Sequence, residues 1–553
     1  MALILAATAV VYLPSLRFEF VYDDRFQIMR NPRLRSWGYL PGYFRHHVWF
    51  HTADLGAYYR PLFLVWLRLN YWLFGEHPLP WHVSTVLLHL TAVALVYVLL
   101  KKTIADPFVV AFATAVFALH PAHIESVAWI SGLTDSLMTV PLIGALICFL
   151  RARDKHSKPD FACSIFLLIV ALLAKETAII GPILFLVYAF AFPEERPFRG
   201  RLTGAILSSL PFFIVVLIYW CVRWRIMLPE NPPTARSVGF LFVNLPTTYW
   251  FYLEHLLWPV HLSLYYDFVP REWNVAFLPL EILILIAITS LGTFAALRSG
   301  VLFEAWAWLV LPIGAAIGGF SVFASHDSAH DRYLYLATIG LGILLGTILT
   351  NLPTEPRVFG RPALQFCGTL VILSASVLLV LTQEPYWHDN ATLFRHTTQI
   401  APKNPISYSH LGREMDVENN VPMARDLYAK AVELDPADYG NNFILGALSL
   451  QLARWSDAYH YCHIADNIAP TARNDCYRIE ARALMQMGRL SEAESEMRTA
   501  IAKWPKIEGQ HLLLGEILMA EGRLEDARQE FLLELQLDPK SEAARANLSR
   551  SQN

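Results

Sequence analysis

The feature that most constrains the fold is a series of apolar stretches that recurs from residue 2 to about residue 382. An apolar run of roughly 18 residues with few charges predicts a helix that crosses a membrane. After Gln383, charged residues become frequent and no such run follows. Charged residues make up only 16% of the chain and mean hydropathy is +0.37, which excludes an ordinary soluble composition. The sequence therefore predicts a polytopic membrane domain over 1–384 and a second domain over 385–553.

We count about eleven crossings in the first domain. Residues 2–16 lack the basic start and cleavage site of a signal peptide, so they are interpreted as an anchor helix. The other ten lie at 83–100, 107–119, 135–150, 161–174, 177–192, 202–222, 277–297, 305–324, 333–351 and 363–382. Segments 61–75 and 238–258 are rich in aromatic residues and interrupted by polar ones, which favours interfacial or re-entrant helices. Whether these two cross the membrane stays open.

Basic loops predict the orientation. If the first span runs outward and the two aromatic segments do not cross, the loops at 101–102, 151–158, 196–201, 298 and 357–361 all face inside, as the positive-inside rule expects. An odd number of crossings then puts the C-terminal domain outside the cytoplasm. We expect a bacterial inner membrane with a periplasmic domain, or alternatively an endoplasmic reticulum membrane with a luminal one.

Prolines reveal a repeat in the C-terminal domain. Pro402, Pro436, Pro470, Pro505 and Pro539 are separated by 34, 34, 35 and 34 residues. Small residues recur at fixed distances before these prolines, at Gly412, Ala424, Ala431, Gly446, Ala458, Ala465, Ala493, Ala500, Gly515 and Ala527. This period and pattern predict tetratricopeptide (TPR) helix pairs. We expect about four repeats and a half-repeat, forming an α-solenoid, so the whole chain is predicted to be all-α.

Cysteine spacing and net charge exclude other classes. The six cysteines have no CxxC pattern, so most are interpreted as small core residues, while Cys462 and Cys476 could pair if the C-terminal domain is extracytoplasmic. A net charge of -3 without a long basic run argues against nucleic acid as a partner.

Polar residues of the membrane domain gather on its predicted outer side, where they indicate function. The clusters are Tyr22-Asp23-Asp24-Arg25, Tyr58-Tyr59-Arg60-Pro61, His120-Pro121-Ala122-His123-Ile124-Glu125 with Asp135, Lys175-Glu176, and 326–333 with His330, Arg332 and Tyr333. Carboxylates beside cations suit transfer from an anionic lipid-linked donor, because a carboxylate can accept a hydroxyl proton while Lys and Arg hold phosphate. Taken singly, each cluster has a plainer explanation: a helix cap, interfacial histidines, a Lys175–Glu176 ion pair, or an interfacial anchor at Arg332.

Together, these motifs and the repeat resemble the transmembrane and tetratricopeptide repeat O-mannosyltransferase family of GT-C glycosyltransferases, over nearly the whole chain. The resemblance implies an enzyme that takes a sugar, mannose or another hexose, from a polyprenyl-phosphate carrier. The sugar passes with inversion to Ser or Thr hydroxyls of proteins on the outer or luminal face. One position departs from the family: Leu133 follows Trp129-Ile130-Ser131-Gly132 where Arg is expected. That departure leaves the identity of the sugar open.

The resemblance also implies roles for individual residues. Asp23 or Asp24 is the expected general base, with Asp24 favoured. Donor phosphate is expected at Arg60, Lys175 and Arg332, and the donor or acceptor site at His120, His123, Glu125, Asp135, Glu176, His330 and Tyr333. We expect no cofactor and no metal, since Lys and Arg can stabilise a phosphate leaving group, although Asp23, Asp24, His120, His123 and Glu125 include possible ligands of a divalent ion.

The expected partners are the lipid-linked sugar, membrane lipid, and an acceptor protein or peptide in the groove of the TPR array. A rigid spacer or dimerisation arm is the alternative for the array. For the whole chain, one alternative is a non-catalytic TPR membrane scaffold for envelope or polysaccharide assembly. Another is a GT-C enzyme with a lipid or polysaccharide acceptor.

Overall fold

The computed structural model describes residues 1–52, 58–192, 198–227, 238–267, 278–320, 329–469 and 475–551. The chain forms two compact units, Met1–His396 and Thr397–Asn553. Apart from one hairpin of two-residue strands, the regular structure in these residues is helical. The predicted all-α class is confirmed.

The first unit contains helices of very different lengths, joined by short 3₁₀ turns. They are α1 (Ala2–Val11), α2 (Leu40–Tyr43), α3 (Pro61–Phe74), α4 (Pro78–Thr103), α5 (Pro107–Leu119), α6 (Ile124–Ala128), α7 (Thr134–Lys155), α8 (Lys158–Ala174), α9 (Gly181–Ala191), α10 (Phe198–Met227), α11 (Val238–Leu257), α12 (Leu278–Ala296), α13 (Gly300–Phe320), α14 (Ala337–Thr350) and α15 (Ala363–Gln383). Between α14 and α15, β1 (Arg357–Val358) pairs antiparallel with β2 (Arg361–Pro362). Several helices begin with proline, whose missing N–H has no partner in a first turn anyway.

Several of these helices are suited to a membrane. Within the described residues, five are long and apolar enough to cross: Pro78–Thr103, Ser131–Lys155, Gly200–Met227, Gly300–Ile317 and Ala363–Trp387. A sixth is possible if Pro107–Leu119 and Pro121–Ala128, which are bent by 49°, form one broken span. Four shorter apolar helices accompany them, at Ala2–Arg17, Glu176–Ala191, Pro279–Phe294 and Ala337–Thr350. The chain is a multi-pass membrane protein, while the predicted eleven crossings stay a prediction.

Glycines let the central helices approach closely. A Cβ atom at Gly342 of α14 would lie 2.8 Å from the Ala113 oxygen of α5, and one at Gly340 would lie 2.4 Å from the Ala305 oxygen of α13. Small residues serve this purpose in membrane helix packing, where close contact replaces hydrophobic burial as the driving force. This packing holds the start of α14, and with it the polar turn that precedes it.

The second unit is the predicted repeat array. After α16 (Asn390–Ile400), four helix pairs follow: α17 (Pro405–Val417) and α18 (Val421–Leu434), α19 (Tyr439–Gln451) and α20 (Trp455–Ile468), α21 (Asp475–Gln486) and α22 (Leu490–Lys503), and α23 (Gln510–Ala520) and α24 (Leu524–Leu537). Helix α25 (Glu542–Arg550) ends the array. The small residues lie at close contacts: a Cβ at Gly446 would be 2.4 Å from Cys462 Sγ, and one at Gly515 would be 2.4 Å from Phe531. The predicted TPR solenoid is confirmed; Pro470 lies outside the described residues.

Two sequence predictions concern details of this array. Cys462 and Cys476 are both buried and carry free thiols, so their pairing stays a prediction. The units divide after His396, beyond the predicted boundary at residue 384. The physical reason is that the residues after α15 pack on the first unit: the Trp387 ring stacks 5.9 Å from Trp129, and the His388 oxygen accepts the N–H of Glu19 at 2.9 Å.

Candidate active site

The acidic pair lies in a tight turn after α1. Asp24 is fully buried, and its Oδ1 accepts the backbone N–H of Ser131 at 2.8 Å and the Ser131 hydroxyl. Its Oδ2 accepts the N–H of Val21 at 3.2 Å, so it does not cap the π-helical turn that follows. Asp23 is half-buried. The two carboxylates therefore differ in kind: Asp24 ties the loop after α1 to the turn before α7, whereas Asp23 is partly accessible.

Burial raises the pKa of Asp24 to about 7, and the hydrogen bonds from Ser131 and Val21 oppose that rise only in part. Between its unfolded pKa near 4 and pH 7, the native chain keeps a proton that the unfolded chain has lost. The free energy of unfolding should therefore fall as pH rises through this window, by about 4 kcal/mol if the whole shift is expressed. We expect thermal unfolding in detergent to show a steeper fall in stability with pH for the native chain than for Asp24→Asn, since other buried carboxyls such as Asp331 stay in both.

The control for that measurement is Asp426→Asn, which removes an exposed carboxylate from the array. It should leave the slope unchanged. Parallel stability curves for the native chain and Asp24→Asn between pH 4.5 and 7.5 would mean that Asp24 ionises near its ordinary pKa.

Lys175 and Glu176 do not pair with each other. The Lys175 Nζ lies 2.7 Å from both carboxylate oxygens of Asp135, and both side chains are buried. Glu176 instead binds Arg60 in a bidentate pair, with Nε to Oε2 at 2.8 Å and Nη2 to Oε1 at 2.5 Å. Lys175 ends α8 and Glu176 begins the next 3₁₀ turn, so the two side chains leave the chain in different directions. One sequence motif thus joins two separate ion pairs.

A third ion pair lies between α6 and the turn before α14. The Glu125 carboxylate accepts the Arg332 backbone N–H at 2.9 Å and pairs with the Arg332 guanidinium, whose side chain is only 11% exposed. His330 Nδ1 lies 3.7 Å from the same carboxylate. A surface anchor at Arg332 would be much more exposed. This residue belongs to a buried polar cluster instead.

Aromatic rings connect the ion pairs to the acidic turn. The ring of Tyr333 lies 5.1 Å from Lys175 Nζ and 5.4 Å from the Arg332 guanidinium carbon. The same guanidinium lies 5.4 Å from the ring of Trp129, two residues before the serine that holds Asp24. Both contacts are within the range of cation–π attraction. Through Ser131, Trp129 and Tyr333, the structure therefore links the Asp24 turn to Lys175 and Arg332, two of the three predicted phosphate-binding cations.

The two histidines of the motif have packing contacts. His120 Nε2 lies 3.0 Å from the Leu256 oxygen, and His123 Nε2 lies 3.2 Å from the Tyr335 oxygen and 3.0 Å from the Thr338 hydroxyl. The His123 ring stacks on Tyr335 at 4.3 Å. Both histidines are buried where α5 breaks from α6. Their role in the donor or acceptor site stays a prediction.

Sequence reasoning did not single out two residues of this cluster. Ser131 holds Asp24, and its position within Trp129-Ile130-Ser131-Gly132 was the available signal. Asp331 accepts the hydroxyl of Tyr266 and the N–H of Ser263. Burial, followed by the charge of Glu125, raises the pKa of Asp331. Its place beside Arg332 was the signal that could have identified it.

Two further sequence predictions concern a metal site and the residue at position 133. In the part of the chain that the structure describes, no group of three or more His, Cys, Asp or Glu side chains is arranged to hold a metal ion. Leu133, where the family resemblance leads one to expect Arg, is fully buried. Leu133 therefore packs in the interior, and this position supplies no cation for a phosphate.

An apolar groove of about 210 Å³ lies beside Arg60. Tyr59, the residue before Arg60, lines it together with Tyr219 of α10, and their rings are 6.3 Å apart. The other lining residues are aliphatic side chains of α8 and α10: Ile169, Leu172, Leu173, Val215, Ile218 and Val222. The groove thus has an apolar wall, and one of its lining residues is the chain neighbour of Arg60.

Two family profiles match this chain. The profile described as "Dolichyl-phosphate-mannose-protein mannosyltransferase" matches residues 59–220, and the profile described as "Tetratricopeptide repeat" matches residues 480–542. The first match covers Arg60, Glu125, Asp135 and Lys175, and the second confirms the array.

Curated relatives match most of the chain. Human protein O-mannosyl-transferase TMTC3 is 24% identical over 97% of this chain and 64% of its own length. Protein O-mannosyl-transferase F38B6.6 of Caenorhabditis elegans is 24% identical over 79% of this chain and 62% of its own length. Drosophila melanogaster protein O-mannosyl-transferase Tmtc1 is 30% identical over 47% of this chain and 33% of its own length. The chain thus resembles the family that its motifs predicted, and it spans a little under two thirds of the length of the first two of these relatives.

Solved structures align less closely. The crystal structure of ArnT from Cupriavidus metallidurans bound to undecaprenyl phosphate aligns with 90% of this chain and 79% of its own, at 14% identity and a TM-score of 0.37. The crystal structure of YrrB, a TPR protein, aligns with 29% of this chain and 82% of its own, at 19% identity and a TM-score of 0.26. Both scores are low.

Proposed function

We propose that this chain is a membrane glycosyltransferase that moves mannose, or another hexose, from a polyprenyl-phosphate carrier to Ser and Thr hydroxyls of proteins outside the cytoplasm. The observation that carries the proposal is the convergence of an acidic turn and two ion-paired cations, Lys175 and Arg332, on Trp129 and Tyr333. The names of the relatives, protein O-mannosyl-transferases, support the same reaction.

The acidic pair supplies the general base. Because Asp24 is fully buried and its two oxygens already accept three hydrogen bonds, the half-buried Asp23 is the better placed of the two to receive an incoming hydroxyl. As Asp23 takes the hydroxyl proton, the hydroxyl oxygen bonds to the anomeric carbon from the face opposite the phosphate. The bond between that carbon and the phosphate oxygen breaks, and its electron pair leaves with the polyprenyl phosphate.

The cations stabilise the charge that develops on the leaving phosphate. Arg60, Lys175 and Arg332 each form an ion pair with a carboxylate, so the charges of these three pairs balance before the donor binds. The bidentate pair with Glu176 uses Nε and Nη2 of Arg60, and Nη1 lies on the other edge of the guanidinium. Preorganised donors of this kind act strongly where water is excluded.

The apolar groove beside Arg60 fits the isoprenoid part of such a donor. Its aliphatic lining suits a hydrocarbon chain, and Tyr59 in that lining directly precedes Arg60, whose ion pair with Glu176 would meet the phosphate. The TPR array then serves to recognise the acceptor or a partner protein, on the same side of the membrane as the acidic pair. That side is the periplasm or the lumen of the endoplasmic reticulum.

The test is glycan mass spectrometry on the extracytoplasmic proteins of cells that carry the native chain or the double variant Asp23→Asn, Asp24→Asn. Membrane abundance is matched between strains, and Asp426→Asn is the control. We expect the double variant to lose hexose from Ser and Thr of specific proteins and the control to keep it.

Other outcomes would contradict the proposal in distinct ways. If protein glycans are unchanged but lipid-linked or polysaccharide sugars change, the acceptor is a lipid or polysaccharide. If neither changes, the chain acts as a scaffold and the acidic pair has no catalytic part.

A further inference from the structure

The turn that carries the acidic pair contains an unusual backbone conformation. Tyr22 has a φ of 51°, in the left-handed region that residues other than glycine seldom adopt. Such a conformation persists only when its surroundings fix it, and it is often found at functional sites. The next residue in the chain is Asp23.

A hydrogen bond from outside the turn fixes this conformation. The backbone N–H of Tyr22 donates to Oδ1 of Asn390 at 2.7 Å. Within the turn, the N–H groups of Val21 and Asp24 are bonded to Asp24 Oδ2 and to the Val21 oxygen. Hydrogen bonds within the turn therefore hold Val21 and Asp24, the residues on either side of Tyr22 and Asp23. Asn390 holds Tyr22 between them.

Asn390 belongs to a short segment, residues 387–394, that we name the junction segment. It precedes the TPR array and lies within the first compact unit, which ends at His396. Besides the bond from Asn390, the His388 oxygen accepts the N–H of Glu19 at 2.9 Å, and the ring of Phe394 lies 6.0 Å from Tyr22. Two hydrogen bonds and one ring contact thus attach the junction segment to the loop after α1.

We propose that Asn390 is a positioning residue for glycosyl transfer: its amide oxygen fixes Tyr22 and, through Tyr22, the direction in which the Asp23 carboxylate points. The junction segment then completes the active site and is more than a linker to the array. This inference rests on the proposed function. It adds to the acidic pair and the cations a third requirement for activity, an acceptor oxygen from a residue far away in the sequence.

Loss of the Asn390 oxygen should affect catalysis and not donor binding. Asn390 is not one of the cations proposed to hold the donor phosphate, so its loss should leave donor binding unchanged. It should, however, let the acidic turn relax, and a misplacement of about 1 Å can lower a rate by roughly a hundredfold. Asp at this position keeps an oxygen of the same reach, whereas Leu has a similar volume and no acceptor.

The experiment compares Asn390→Leu and Asn390→Asp in the full chain, purified in detergent. Undecaprenyl-phosphate-mannose is the donor probe, and the acceptor is a protein found by the mass-spectrometric experiment. We expect Asn390→Leu to lower kcat by about tenfold or more, with KM for the donor nearly unchanged. Asn390→Asp should keep most of the native kcat. If the Leu variant does not fold, Asn390→Ser replaces it, because the serine side chain is too short to reach Tyr22.

The matched control is Asn31→Leu. Asn31 is also a buried asparagine whose Oδ1 accepts a backbone N–H, that of Arg33 at 3.1 Å, but its hydrogen bond stays within the turn that it begins. It should leave kcat near the native value. Equal losses of kcat in both Leu variants, or an Asp variant as inactive as the Leu variant, would overturn the positioning role. A native chain that transfers no sugar would overturn the proposed function together with this inference, whereas an active native chain and an equally active Asn390→Leu would overturn this inference alone.

Discussion

Replacing Asp23 with Asn should lower the rate of sugar transfer by roughly a hundredfold to ten-thousandfold while leaving the fold intact, which is the usual contribution of a general base. Asn keeps the shape of the side chain but cannot accept the hydroxyl proton. Asp23 is half-buried, so the neutral residue causes little strain. The measurement is kcat/KM against pH, with undecaprenyl-phosphate-mannose as donor.

Asp24→Asn distinguishes the two carboxylates in the same assay. We expect it to reduce the rate less, because its effect passes through the hydrogen bonds to Ser131 and Val21 that shape the turn. Asp23→Asn should show the larger loss of rate of the two variants at every pH. If the native profile instead falls below pH 7 and only Asp24→Asn removes that fall, the base is Asp24, because burial raises its pKa to about 7.

Replacing Lys175 with Met should destabilise the chain by about 3–5 kcal/mol, since it leaves the buried Asp135 carboxylate without its partner. Both Asp135 oxygens lie 2.7 Å from the Lys175 nitrogen, and neither side chain has access to enough water to replace that contact. Unfolding of the detergent-solubilised chain measures this loss. Lys102→Met is the control: Lys102 pairs with Asp154 at an exposed site, and such pairs contribute about 1 kcal/mol or less.

A double variant separates stability from chemistry. Lys175→Met combined with Asp135→Leu removes both buried charges, and we expect it to recover most of the lost stability. Transfer should stay at least about a hundredfold below the native rate, because a preorganised cation beside the phosphate is still missing. Recovery of activity together with stability would assign Lys175 a structural role only.

Local pattern was enough to predict most of the fold. Long apolar runs predicted the membrane helices, because a run of apolar side chains is stable in lipid only when its backbone groups are paired within a helix. The regular spacing of residues such as Gly446 and Gly515 predicted the TPR array, since each repeat places a small residue against a large one in its own helix pair. Both signals involve residues close in sequence.

The sequence also predicted which residue types gather, but tertiary structure decided their partners. Lys175 and Glu176 are neighbours, and the sequence left open an ion pair between them; the end of α8 directs Lys175 to Asp135 and Glu176 to Arg60. Similarly, the family resemblance favoured Asp24 as the base, whereas the structure buries Asp24 and leaves Asp23 half-buried, because burial depends on the turn before α7.

Local sequence patterns were thus sufficient to predict the all-α class, the apolar helices, the repeat array and the types of charged group. The folded chain was needed to show that Asp24 is buried, that three cations are paired across segments, and that Asn390 reaches Tyr22. The reason is physical. Helix formation and hydrophobic burial follow from short-range periodicity, whereas the surroundings of a charge depend on contacts between residues far apart in the chain, which no local pattern contains.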